Sequence, residues 1–583
     1  MEEKQNENLE QMRHTLAHIL MQALEQLHGA IPAVGPVIEN GFYHDFDAES
    51  QITDKDLKTI NREMIKIINK DLPIEKKVLP IEEGINLLKD KKYTYTLELA
   101  KELKEKGETE ISFYQQGDFI NMCSGFHLES TGKINPKAFK LTTIAGAYWK
   151  GDEKNKMLQR IYGVAFENPE ELKEYEKMME EAKKRDHRKL GKELDYFSIS
   201  QKVGAGLILW HPKLSKTREV IESFWRKFHR QRGYDAVYTP HIGRSELWET
   251  SGHLKNFKEM MYSPMDVDGE QYYIKPMNCP FHVEIYKFRP RSWRDFPFRW
   301  NELGAVYRYE KSGELAGMLR VRGFTQDDAH IICRQDQFVD EYREVLQFTI
   351  DILEIFGFKK ESIKAYIATR DPKLDKYLGT DEIWSSSEKV ITEIIKEFNI
   401  PNEVEEGGAK FYGPAIDLKV KDSIGREWQL TTIQLDFNLP EKFDMTYQGK
   451  EGKERPIMIH RALLGSLERF VAILIEHYGG NFPFWLAPTQ VKIIPVADEH
   501  NEYAQNIFEE LRKEDFRVEI DRSDNNFGKK VREAKNERVP YFVIVGDDDI
   551  KNNKMTLESR DGEDSVQISL EELFDKFNKE NKK

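Results

Sequence analysis

The sequence predicts a multidomain α+β protein, and three observations carry that prediction. At roughly 150 residues per domain, a chain of 583 residues has room for three or four domains, each able to bury its own core. Residues 299–333 read as strand, loop, strand: A-V-Y-R-Y and L-R-V-R-G-F-T hold β-branched and aromatic residues, and K-S-G-E-L-A-G between them holds the glycines of a turn. From residue 488 onward strands and helices alternate, the pattern of an α/β domain with a mostly parallel sheet.

Composition removes several function classes. Lys+Arg 88 against Asp+Glu 102 leaves a net charge of −14, which argues against a uniformly basic nucleic-acid coat but not against a local one. Three cysteines cannot build a disulfide framework, and no apolar run reaches membrane-spanning length. The polar start M-E-E-K-Q-N-E-N lacks a signal-peptide core, so a reducing cytoplasm is the expected location. There is no internal repeat or low-complexity tract, only a Lys- and Glu-rich tail after Leu573.

Taken in order, Met12, Leu16, Ile19, Leu20, Ala23 and Leu27 recur at three- and four-residue spacing and describe an amphipathic helix over residues 9–27. His14 and His18 fall opposite that stripe, so they either look into water or line a cleft. Cys123 and His127, in C-S-G-F-H, repeat the spacing on a loop. The four residues can make a tetrahedral zinc site or a hydrolytic cleft whose imidazoles manage a water's protons, or their spacing is coincidence. Residues 170–190, rich in Glu, Lys, Met and Ala without proline, read as one long polar helix bridging two domains. Its basic end, Lys183–Lys192, suits a phosphate backbone or is a solvated linker. Residues 213–232 are helical and closed by Gly233; G-Y-D-A-V-Y-T-P then reads as a strand ending at Pro240.

The hairpin carries Arg299, Arg308, Arg320 and Arg322 on or beside its strands. Four neighbouring guanidiniums repel unless an anion joins them, and their planar forks suit phosphate and carboxylate oxygens. A polyphosphate is the expected ligand, with a solvated hairpin as the alternative. T-Q-D-D-A-H crowds amides, carboxylates and an imidazole at a strand end. L-G-S-L-E-R reads as a helix start, where backbone N–H groups and Ser466 favour an anion. In the last domain, helices are expected over 502–513 and 529–536.

K-P-M-N-C-P at 275–280, F-Y-G-P at 411–414 and I-H-R-A-L-L-G-S-L-E-R-F at 459–470 join the hairpin in a pattern that resembles the class II aminoacyl-tRNA synthetases. R-V-R-G-F-T-Q-D-D-A-H is similar to the threonyl members of that class, and the resemblance runs from about Leu9 to the C-terminus. It implies an α+β editing domain over 1–167, a linker helix over 168–192, a catalytic domain over 193–487 and an α/β anticodon-binding domain over 488–583. The catalytic domain would be an antiparallel β-sheet core with flanking helices. The helix and strand before the hairpin look like the dimer-forming motif of the class, which implies a homodimer. A further small N-terminal domain, frequent in bacterial members, has no room here.

The resemblance also implies roles. Spacing flags no metal site among Cys279, His330 and His460, and on spacing Cys333 would serve as well. By likeness the first three hold one zinc ion with an open coordination position. Arg308 would meet the α-phosphate and the amino-acid carboxylate, and Arg320 and Arg469 the outer phosphates of ATP, which brings magnesium. Phe324 would stack on adenine with Glu310 near its edge, while Gln429, Thr432, Gln434 and Ser466 line the nucleotide pocket. Asp328, Gln326 and Tyr412 would orient threonine, and His253 would manage a proton during transfer to the tRNA ribose. Arg522, Lys529 and Arg532 would contact tRNA.

For the first domain, G-A-Y-W-K-G-D and N-K-M-L-Q-R-I-Y-G join the His/Cys pairs in a likeness to a domain that removes serine from threonine tRNA without a required metal. That assigns His14, His18, Cys123 and His127 to editing. Where the family reads D-x-C-R-G-P-H, this chain has Asn121, Ser124 and Phe126, and Thr96 follows Tyr95 where a lysine is usual. An acid and a base are missing, and weakened editing is expected. Phe281 replaces the usual glycine after N-C-P, which would reshape the zinc pocket. Glu558 replaces an anticodon-reading arginine. The rival expectations are a paralogue charging another acceptor and a non-catalytic RNA-binding regulator.

Overall fold

The computed structural model describes residues 2–371, 377, 380–410, 413–562 and 565–582, in two compact units, Met1–Glu180 and Glu181–Lys583.

In the first unit, helix Glu2–His28 buries Leu16, Ile19, Leu20, Ala23 and Leu24 completely. Each large apolar side chain so buried contributes about 1.5–3 kcal/mol. They pack with Phe42, Phe46 and Ile161 of an antiparallel sheet and with Ile60, Met64 and Ile67 of helix Leu57–Asn69. The sheet runs in the order Ile31–Pro32, Gly41–Asp47, Met157–Ala165, Phe139–Tyr148, with Val37–Ile38 paired to Gly41–Asp47. A second antiparallel sheet, Ile74–Pro80, Glu110–Gln116 and Phe119–Met122, packs its apolar face on helices Ile81–Asp90 and Thr94–Glu105. Its last strand leads directly into the loop holding Cys123 and His127.

The single linker helix expected over 170–190 is instead two helices, Pro169–Arg185 and His187–Glu193. Asp186 breaks the run: its backbone leaves the helical region at ψ 120°, and its carboxylate accepts the Arg188 N–H as an N-cap.

The second unit is organised on an eight-stranded sheet among the described residues, in the order Asp235–Ala236, Phe298–Tyr307, Gly323–Cys333, Ile457–Ala462, Glu427–Asp436, Ala415–Lys421, Ile363–Thr369, Asn402–Glu406. The six central strands are antiparallel, and the two edge strands add in parallel. Ile331, Leu418, Ile433 and Ile459 of the sheet share a core with Ile221 of helix Pro212–Gln231, Leu346 and Leu353 of helix Phe338–Ile355, and Phe470 of helix Leu467–His477.

Three details differ from the sequence reading. The strand expected up to Pro240 pairs only through Asp235–Ala236, beside Trp300 and Asn301. The second hairpin strand starts at Gly323, because the N–H groups of Arg322 and Gly323 are taken by the carbonyl of Gly206. T-Q-D-D-A-H therefore lies within a strand rather than at its end, and Arg308, Arg320 and Arg322 lie on the connecting loop. In the C-terminal sheet, Val518–Ile520, Val491–Pro495 and Tyr541–Val545 are parallel, but Met555–Ser559 and Val566–Ile568 add antiparallel. The connection from 546 to 554 is too short for a parallel crossover of about a dozen residues, and Asn553, at φ 50°, turns the chain back. Helices Asn501–Lys513 and Phe527–Asn536 match expectation. Among the described residues, no helix is long and apolar enough to cross a membrane.

Candidate active site

A cavity of about 670 Å³ lies over one face of the eight-stranded sheet. Period-two alternation decides what reaches it: Phe324, Gln326 and Asp328 line the cavity, whereas the alternate residues Thr325, Asp327, Ala329 and Ile331 are buried outside it. Thr432, Gln434 and Asp436 do the same from Glu427–Asp436, and a register shift opposite Leu418 and Lys419 brings in Gln429 as well.

At one end of the cavity three donors converge. His330 and His460 are register partners on adjacent antiparallel strands, and His330 Nε2 lies 2.9 Å from His460 Nδ1. Cys279, in the first turn of helix Cys279–Lys287, completes a set whose ligand atoms all lie within 4.8 Å of one another. Behind them, His460 Nε2 is 2.8 Å from Asp436 Oδ2, and His330 Nδ1 is 2.8 Å from His282 Nδ1, whose other nitrogen faces Glu302 at 3.3 Å. Burial holds His330 well below the ordinary imidazole value, in the neutral form that ligates metals. Burial opposes a charge on His460 too, yet Cys279 and Asp436 raise it to about 10. Two imidazoles and a thiol facing one another with a carboxylate behind are a zinc donor set, and the residues fit that ion. Cys333, as good on spacing, is fully buried in the core among apolar side chains.

The other end is cationic. Arg308 donates from Nε to the Pro276 carbonyl at 3.2 Å, with its guanidinium 5.2 Å from the centre of the Phe324 ring. Arg320 is held by Glu310 and Glu314, each at 2.8 Å. Arg469 has its Nε buried without a hydrogen-bond partner, and its pKa is lowered by burial and by the charge of Arg320. Ser466 caps helix Leu467–His477 by accepting the Arg469 N–H at 3.1 Å. Two of the four hairpin arginines do not belong here. Arg299 is paired with Glu341 through two bonds at 2.6 and 2.7 Å, and Arg322 donates to the Glu310 carbonyl at 2.9 Å and stacks over Tyr309. Carboxylates and carbonyls of the fold satisfy them, so no anion is required.

Between the two ends, Asp328 accepts from Asn278 at 2.8 Å, and burial raises its pKa. Gln326 Oε1 and Gln434 Nε2 are buried without partners; such atoms in a cavity are the ones a ligand satisfies. Gln429 approaches Thr432, whose hydroxyl bonds Asp417. His253 lies 2.7 Å from Ser251 Oγ; burial, then the charge of Arg308, lowers its pKa to about 4, so it is a neutral proton acceptor near pH 7. Tyr412 lies outside the described residues. The Phe281 ring packs on Trp248, with centroids 5.7 Å apart, and is not among the residues lining the cavity.

In the first unit, Cys123 Sγ is 3.3 Å from His14 Nε2 and 3.4 Å from His127 Nε2, and with His18 the four ligand atoms fall within 4.8 Å. The histidines therefore cluster with the thiol, and His18, expected away from the core, is 3% exposed. Burial lowers the pKa of all three imidazoles, to about 3 at His127, and raises that of the thiol. Gly125 permits the approach, since a Cβ there would meet the His14 ring at 2.1 Å. Thr96 is buried and bonds the Tyr93 carbonyl, Asn121 is buried, and Phe126 is 72% exposed. In the C-terminal sheet region, Arg522 pairs with Gln505, Lys529 with Asn525, and Arg532 is exposed, while Glu558 is bound by Lys535 at 2.7 Å.

Asp436, His282 and Asn278 were not singled out from sequence. His282, three residues after Cys279 on one helix, could have been found by that spacing; Asp436 follows the quoted Gln434 at the same period of two.

Comparison with known proteins agrees across the chain. Residues 262–478 match the tRNA synthetase class II core domain (G, H, P, S and T). Residues 490–580 match an anticodon binding domain, and residues 111–162 the threonyl and alanyl tRNA synthetase second additional domain. A threonine–tRNA ligase of Sulfurihydrogenibium sp. is 48% identical over 582 residues, 99% of this chain and 89% of that protein. One of Aquifex aeolicus is 50% identical over 574 residues, 98% of this chain and 89% of that protein. Among solved structures, the RNA binding domain of threonyl-tRNA synthetase from Cryptosporidium parvum matches with a TM-score of 0.65 at 36% identity, over 68% of this chain and 98% of that one. With likeness over nearly the whole length, and with three convergent donors and a cluster of arginines in one cavity, this chain belongs to the threonine–tRNA ligase family of class II aminoacyl-tRNA synthetases.

Proposed function

We propose that this enzyme activates L-threonine with ATP to threonyl-adenylate and transfers the threonyl group to threonine tRNA. The observation that supports this most is the meeting, in one cavity, of Cys279 and His460 with Arg308, Arg320 and Arg469, with His330 buried against His460 at 2.9 Å. Cys279, His330 and His460 would hold zinc, which when bound offers a Lewis acid to the amine and hydroxyl of threonine. Valine is nearly isosteric with threonine, and an apolar pocket separates such pairs by only about a hundredfold. Valine, with no hydroxyl to offer such an ion, would be refused.

The chain's own groups do the rest. Arg308, on the cavity wall beside Phe324, binds the α-phosphate and the threonine carboxylate and offsets charge as the carboxylate attacks and pyrophosphate leaves. Arg320 exchanges Glu310 and Glu314 for outer-phosphate oxygens, and Arg469 uses its unpartnered Nε on the same phosphates. Magnesium enters with the nucleotide. Phe324 stacks on adenine, with Glu310 at its edge, and Gln429, Thr432, Gln434 and Ser466 line the nucleotide pocket. Asp328, Gln326 and Tyr412 orient threonine. His253, neutral, accepts a proton as the tRNA ribose attacks the adenylate.

Serine keeps the hydroxyl and loses one methyl, a difference of about 1–3 kcal/mol, so the cavity cannot exclude it. His14, His18, Cys123 and His127 hydrolyse the resulting seryl-tRNA, weakly, because Asn121 and Thr96 supply neither acid nor base. Residues 1–167, 168–192, 193–487 and 488–583 act as editing domain, linker, catalytic domain and anticodon-binding domain, with Arg522, Lys529 and Arg532 toward tRNA. The enzyme works in the cytoplasm as a homodimer, a reading supported by the exposed edge strand Asp235–Ala236 and Tyr238, 80% exposed beside it.

Threonine-dependent exchange of pyrophosphate into ATP tests the activation step, and charging of threonine tRNA tests the transfer. Metal analysis of the protein and of Cys279→Ala should find zinc in the first and little in the second. Exchange that is absent, or equal with valine, would defeat the reading.

A further inference from the structure

The basic run Lys183–Lys192 takes no part in the chemistry above, and its buried member, His187, has its own task. His187 is 1% exposed at the start of helix His187–Glu193. Its Nδ1 lies 2.6 Å from Glu476 Oε1, and its backbone N–H donates to the same oxygen at 3.0 Å. A carboxylate in that pairing accepts, so Nδ1 carries the proton and Nε2 is left as an acceptor. Nε2 accepts the backbone N–H of Met318 at 3.1 Å.

The two partners belong to the two walls of the cationic end. Met318 adjoins Leu319 and Arg320, which line the cavity, on the loop between the hairpin strands. Glu476 is in the last turn of helix Leu467–His477, whose first turn presents Arg469; Arg426 holds its other oxygen at 2.7 Å. Gly317 marks how closely loop and imidazole meet: its φ is +56°, and a Cβ there would lie 2.2 Å from His187 Nε2. Arg320 and Arg469 bring like charges to one cavity, and the two bonds of His187 join the loop that carries the first to the helix that carries the second.

We propose that His187 is a positioning residue for the nucleotide, fixing loop 310–322 against helix Leu467–His477 so that Arg320 and Arg469 address one polyphosphate. The proposal rests on the cavity being the ATP site. It confines the effect to ATP, because His187 bonds no residue of the metal end. It also requires a neutral imidazole, since a second ring proton would displace the Met318 N–H.

Pyrophosphate exchange with ATP and threonine varied separately tests this in the full-length wild type, His187→Ala, His187→Gln and Gly317→Ala. Losing one buried hydrogen bond to the loop predicts that His187→Ala raises KM for ATP about tenfold or more, with KM for threonine and bound zinc unchanged. Gln offers an acceptor near the position of Nε2, so His187→Gln recovers most of the loss, and Gly317→Ala, which crowds the ring from the loop side, reproduces it. If His187→Ala does not fold, the Gln and Gly317 variants decide. A lower melting temperature with KM for ATP unchanged would overturn the tie and leave the ATP site standing; a wild type without exchange would overturn the ATP site itself.

Discussion

Asp327 and Asp328 show how much one residue's place decides. They are adjacent and identical, yet the strand turns Asp328 to the cavity and Asp327 to a fully buried pair with Arg461 at 2.9 Å. Asp327 also accepts the N–H groups of Leu463 and Leu464, where the chain leaves the strand bearing His460. Replacing Asp327 by Ala strands a buried guanidinium and should remove about 3–5 kcal/mol of stability, measurable as a lower urea midpoint. Asp436 acts through His460 instead, engaging Nε2 so that Nδ1 faces His330. Asp436→Ala should weaken zinc binding roughly 10–100-fold by chelator competition, the range for losing a partner behind a ligand, with little change in melting temperature of the zinc-free protein.

Among the elements, helices with a clear apolar stripe were legible: residues 213–232 and 502–513 match helices to within a residue, and residues 9–27 lie in a helix that starts seven residues earlier, at Glu2. Elements whose limits depend on a distant partner were not. Gly206 decides where the second hairpin strand starts, and Asp186 splits the linker by competing for the backbone. Helix Leu467–His477 was legible at its start because Ser466 is a side-chain cap. Ser466→Ala should lower stability by about 0.5–2 kcal/mol and raise KM for ATP, since the same turn carries Arg469; chemical denaturation and pyrophosphate exchange report the two effects separately.

For the molecule as a whole, histidines set the response to acid. In the first unit, burial lowers His14, His18, His44 and His127, His44 to about 4 and His127 to about 3. Each ring is neutral when folded but protonates near its ordinary value of 6.5 when unfolded, so the unfolded state binds more protons between those values. Stability is therefore complete above about pH 6.5 and falls as pH drops, by about 1.4 kcal/mol per pH unit for each such ring until its folded pKa is passed. Hydrogen exchange of peptides from Glu2–His28, corrected for intrinsic rates, should show this unit opening more readily at pH 5 than at pH 7. Equal protection at both pH values would contradict the burial of these rings. Editing also belongs at this scale: seryl-tRNA hydrolysis by the full-length enzyme should be slow and should rise when Asn121→Asp and Thr96→Lys are combined.

By itself, the sequence determined the class of protein, the sheet and helix content, and about half of the side chains in the cavity, because short motifs with fixed chemistry and apolar periodicity are local properties. Only the tertiary structure decided which of four hairpin arginines line the cavity, which cysteine joins the two imidazoles, and that a histidine in a basic linker reaches the loop carrying Arg320. Each of those depends on whether a partner far away in the chain, such as Glu341 for Arg299 or Glu476 for His187, already satisfies the charge or the hydrogen bond, and spacing along a chain carries no record of that.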